Sequence, residues 1–222
     1  MTHYTEKFRM KKILTFLGSM MILVGTTQAE TFLADVWADN WFSLSVNGKQ
    51  VAQDSVSIDT ERSFNAESFS FTAARPFVIG LIAKDFREND TGLEYIGTWH
   101  QQMGDGGVIM QIKDIHGQLV AVTDSGWDCM VVHHAPVQKS CADERNPVAG
   151  QGACRFEVTP EPVGWDQAGF NTSTWSSAKV HNEHMVRPKG GYNRIVWDRS
   201  AQLIWGSDLE THNTILCRLA IQ

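Results

Sequence analysis

The chain has 222 residues, 42% of them hydrophobic, and carries 19 Lys and Arg against 25 Asp and Glu for a net charge of −6. Clustered positive charge, which drives binding to nucleic-acid phosphates, is missing, and this argues against nucleic acid as a partner. The length is enough for one domain with a substantial core.

In chain order, the first feature is a secretory pattern. Basic Lys7, Arg9, Lys11 and Lys12 precede an apolar run from Ile13 to Val24, and small residues lead out to Ala29. Basic, apolar and small-residue zones in this order define a cleavable signal. The run is 12 residues, whereas a bilayer crossing needs roughly 20, so no membrane span is expected after cleavage. Residues 1–29 are therefore read as a signal peptide and 30–222 as a single exported domain, periplasmic, cell-surface or secreted, whose net charge is near −9.

Period-2 alternation dominates residues 30–222 and predicts an all-β chain. Phe42, Leu44 and Val46 alternate with serines and run into Asn47-Gly48, the preferred pair for a tight hairpin turn, with a return strand at Gln50–Ala52. Phe69 and Phe71 alternate before Pro76. Phe77–Ala83 is a short continuous apolar run, as in a strand buried on both faces. Val108–Ile112, Leu119–Val122, Met130–Val132 and Ile215–Ile221 add further strands, and residues 141–193 read as long polar loops. No helical periodicity is sustained, so a β-sandwich is expected.

Four cysteines in an exported chain suggest two disulfides. The polar Pro- and Gly-containing excursion from Cys141 to Cys154 favours closure of its own ends, leaving Cys129 with Cys217. No CxxC occurs, which removes support for a thioredoxin-like site or a zinc ribbon.

Several local motifs resemble the galactose-binding-like jelly-roll domains found beside α-L-rhamnosidases and related glycoside hydrolases. These are ADNWFSLSVNGKQV at 38–51, VTDSGWDC at 122–129, GWDQAGFNTSTWSSA at 164–178 and IWGSDLETHNTILCR at 204–218. The resemblance implies a jelly-roll sandwich and an expectation of carbohydrate binding. Phe170–Trp175 lacks the acidic pair of the family's corresponding turn.

Three constellations carry candidate chemistry. Trp37, Asp39, Asn40 and Trp41 combine aromatic rings, which stack on sugar C–H faces, with side chains that take hydroxyls. His134, His181, His184 and His100 are candidate ligands for a transition metal, copper above all. Adjacent His133 and His134 on a strand point to opposite faces, so at most one joins a site. Asp85–Asp90, Glu94 and the turn at Asp105 offer hard oxygens for Ca²⁺, although no fixed calcium motif is present. There is no GxSxG, P-loop, HExxH or GxGxxG pattern. The expectation is a non-catalytic carbohydrate-binding protein, with a copper-binding protein and a glycan-active enzyme as alternatives.

Overall fold

A computed structural model describes residues 1–2, 28–60 and 63–222. The signal-peptide reading falls almost wholly outside these residues. The chain opens with β1 (Glu30–Asp39), β2 (Trp41–Val46), β3 (Lys49–Gln53), β4 (Ala66–Ala73) and β5 (Phe77–Lys84). Short β6 (Leu93–Glu94) and β7 (Gln102–Met103) precede β8 (Gly107–Asp114), β9 (Leu119–Val122) and β10 (Asp128–His134). Then come β11 (Glu157–Val158), β12 (Ser176–Ser177), β13 (Lys179–His181), the one-turn helix α1 (Glu183–Val186), β14 (Leu203–Trp205) and β15 (His212–Ile221).

Two antiparallel sheets stack as a sandwich. The first runs β13-β14-β8-β1-β4 with β9 beside β8, and the second runs β11-β10-β15-β5-β2-β3 with β12 beside β10. Between them Phe32, Val36, Met110 and Ile112 meet Phe42, Leu44, Leu81 and Ile215, all buried. Each large apolar side chain removed from water contributes about 1.5–3 kcal/mol, so this layer dominates the stabilisation. The hairpin between β2 and β3 turns at Asn47 and Gly48, with φ of 50° and 78°, as its sequence predicts.

β1 is not among the expected strands. Its core face alternates Phe32, Ala34, Val36 and Ala38, two of them small, and its other face holds Leu33, Asp35, Trp37 and Asp39. The resulting contrast is weak because Trp37 is itself buried, on the outer side of the sheet, under Val186, Tyr192 and Leu203. The irregular segments are therefore part of the packing. Residues 182–202 roof the first sheet, while Trp165, stacked at 6.0 Å on Trp175, covers Val132 and Leu216 on the second.

Both expected cysteine pairs form, Cys129–Cys217 between neighbouring strands β10 and β15 and Cys141–Cys154 across a loop. Two disulfides are consistent with an oxidising compartment. Among the described residues, no helix is long and apolar enough to cross a membrane.

Candidate functional site

Strand direction gathers chemistry at one end of the sandwich. β1 and β10 finish there, β5 gives way to the long connection to β8, and β14 leaves by the loop that enters β15. These connections enclose an open cleft of about 700 Å³, lined by Gln101, Gln102, Asp105, Lys139, Arg187 and Glu210 among others. Lys139 Nζ holds Glu210 at 2.6 Å and Asp208 at 2.9 Å. Its hydrogen bond to Glu210 raises the Lys139 pKa, followed by the contribution of Asp208. The Gln101 amide donates to the carbonyls of Ala142 (2.9 Å) and Glu144 (2.8 Å), fixing the turn that carries Trp99. Trp99 stands 88% exposed at the tip of that turn, against His100.

Behind the cleft wall lies a buried acidic cluster. Asp39, at the end of β1, is 1% exposed and Asp85, just past β5, is 3% exposed. A Cβ on Gly104 would fall on the Asp85 carboxylate, so only glycine lets the cleft wall approach so closely. Both Asp85 oxygens lack a hydrogen-bond donor. Lys189 Nζ reaches Asp39 Oδ2 at 3.4 Å and Asp105 Oδ1 at 3.0 Å. Burial pushes the Asp85 carboxyl well above the usual range, and the neighbouring charges of Asp39, Glu94 and Asp105 add to this. Burial likewise raises Asp39, reinforced by Asp105 and opposed by Lys189.

The first sequence constellation is corrected by this arrangement. Trp37 has no exposed surface, and its indole nitrogen donates to the carbonyls of Phe64 and Gly190, each at 3.2 Å. It cannot stack on a ligand. Asn40 ties the two sheets together: its Oδ1 accepts from Phe86 N–H at 2.6 Å and its Nδ2 donates to the Ser63 carbonyl at 3.3 Å. Trp41 is half-buried beneath the Lys84 ammonium, 5.0 Å from the ring centre. The segment that carries them is the crossing from β1 to β2, and its polar groups face inward.

The four candidate histidines do not form one site. His181 is buried on β13 with its Nε2 2.9 Å from the Gly206 carbonyl, His184 is exposed on α1, and His100 is exposed beside Trp99. His134 lies instead against His212, with ring centres 5.3 Å apart. Among the described residues, no group of three or more His, Cys, Asp or Glu side chains is arranged to hold a metal ion. The carboxylates considered for Ca²⁺ divide: Asp85, Glu94 and Asp105 interact electrostatically, whereas Asp90 pairs with Arg87 and His133. The cleft residues Lys139, Arg187 and the neighbouring Asp208 and Glu210 come from three separate connections and escape sequence reading. Trp99 carries a signal: a large aromatic in the turn-rich Gly97-Thr98-Trp99-His100 has little local apolar company.

No family model, curated protein or solved structure matches the chain.

Proposed function

We propose that this is an exported, non-catalytic carbohydrate-binding protein whose ligand lies in the cleft at the loop end of the sandwich. The carrying observation is the pairing of a broad cleft, rich in amide and charged groups, with the exposed Trp99 on the turn that also supplies Gln101. An aromatic plate and fixed hydrogen-bonding groups are what a sugar ring with apolar faces and hydroxyl edges requires. The resemblance of the local motifs to galactose-binding-like jelly-roll domains supports the reading, and the two disulfides are in keeping with export. Asp208 and Glu210 are held by Lys139, which suits them to accepting hydroxyl hydrogen bonds rather than to proton transfer.

The test is a glycan array followed by calorimetry on the best ligand. Trp99→Ala is expected to weaken binding by about tenfold, the equivalent of about 1.4 kcal/mol. Arg187→Gln, at the cleft edge, is expected to act in the same direction. Undiminished affinity in the folded double variant would remove the cleft from consideration, and turnover of the glycan would replace binding with catalysis.

A further inference from the structure

Three neighbouring strands place Glu157, His134 and His212 in one row. His134 on β10 pairs directly with Glu157 on β11 to one side and with His212 on β15 to the other. Directly opposed residues share a face of the sheet, with Cβ atoms close enough for their side chains to meet. The side chains do meet: His134 and His212 stand edge to face at 86°, and His134 Nδ1 is 3.5 Å from Glu157 Oε2. The preceding His133 is turned inward and buried. The pair is accessible, since the His134 side chain is 32% exposed and His212 is only partly buried.

We propose that His134 and His212 form a two-histidine site for a borderline transition-metal ion, Cu²⁺ first, with Glu157 as a positioning residue and water filling the other coordination positions. Imidazole suits copper, and Cu²⁺ stands highest in the affinity order for such ligands. Metal–nitrogen distances near 2 Å require two shared imidazole nitrogens to lie within about 4 Å of each other, which rings already in contact reach by small side-chain rotations. A carboxylate against Nδ1 fixes the imidazole proton there and leaves the Nε2 lone pair outward, the usual outer-shell support of a metal-bound histidine. Lys139 is the nearby cation, and Asp208 and Glu210 neutralise it.

The experiment is a Cu²⁺ titration of the full chain with its disulfides formed, read by calorimetry and by electron paramagnetic resonance. All samples carry His3→Ala, which removes the one histidine outside the described residues. Binding of about one Cu²⁺ per chain is expected, with nitrogen hyperfine coupling from two imidazoles. His134→Gln and His212→Gln should each weaken it by at least roughly tenfold, and Glu157→Gln by less, while His100→Ala and His184→Ala leave it unchanged. Thermal melts establish that each variant is folded. Absence of two-nitrogen coupling in the parent, parental affinity in either folded glutamine variant, or loss of binding in His100→Ala or His184→Ala would overturn the site. None of these outcomes bears on glycan binding at Trp99.

Discussion

Asp85 is a carboxyl with nothing to donate to it, and that has a thermodynamic consequence. Its folded pKa lies well above the unfolded value of 3.8, chiefly through burial and then through Asp39, Glu94 and Asp105, with Lys189 opposing. A group whose pKa rises on folding contributes stability that is fully present below the unfolded pKa and lost as pH climbs toward the folded one. Asp39 acts in the same direction. Asp85→Asn removes the ionisation while keeping the shape, so it is expected to raise Tm at pH 7, with the advantage shrinking toward pH 4. A chain of this size shifts by about 2–4 °C for each kcal/mol. Melts of both proteins from pH 4 to 8 check this, and a gain that does not change with pH would show that Asp85 is not the titrating group. Trp37, in contrast, is a packing residue. Trp37→Ala is expected to cost about 3–5 kcal/mol and to lower Tm without selectively weakening any ligand.

At the scale of elements, alternation in the sequence succeeds where the two faces of a strand differ in polarity and fails where both carry apolar side chains. β2 announces itself through serines set between Phe42, Leu44 and Val46. β1 does not, because Trp37 and Asp39 are buried by segments that arrive from 66 to 153 residues later in the chain, Gly190 and Asp105 among them. The same separation hides the buried cluster behind the cleft wall: Asp39, Asp85, Asp105 and Lys189 share no local pattern and meet only once strand order is known. Histidine pairing is half legible. His134 is marked by its position on a strand, but His212 stands opposite it only through the β10–β15 register. The tight hairpin between β2 and β3 offers the sharpest element-level test. Gly48 sits at φ of 78°, and a Cβ there would stand 2.9 Å from Gln167 Cγ. Placing an L side chain in this region costs about 1–2 kcal/mol, so Gly48→Ala is expected to lower Tm by a few degrees. An unchanged melt would mean that the turn relaxes to another type.

For the molecule as a whole, the sandwich is held by one continuous core between its sheets, and its long loops serve as roofs on the outer faces. The two disulfides constrain this architecture unequally. Cys129–Cys217 closes 88 residues and its sulfurs lie in the central core, whereas Cys141–Cys154 closes 13 residues beside Leu93 in a satellite cluster. In the chain-entropy account, a 15-residue loop is worth about 3 kcal/mol and a 100-residue loop about 4.7 kcal/mol. Replacing Cys129 and Cys217 together by Ala should therefore lower unfolding free energy more than replacing Cys141 and Cys154, by roughly 1–2 kcal/mol. Loss of sulfur volume from the central core acts in the same direction. Denaturant unfolding of the two double variants measures the difference directly. The reverse order would mean that the 135–156 loop, which also lines the cleft through Lys139 and Ala142, is coupled to the core far more tightly than its small cluster suggests.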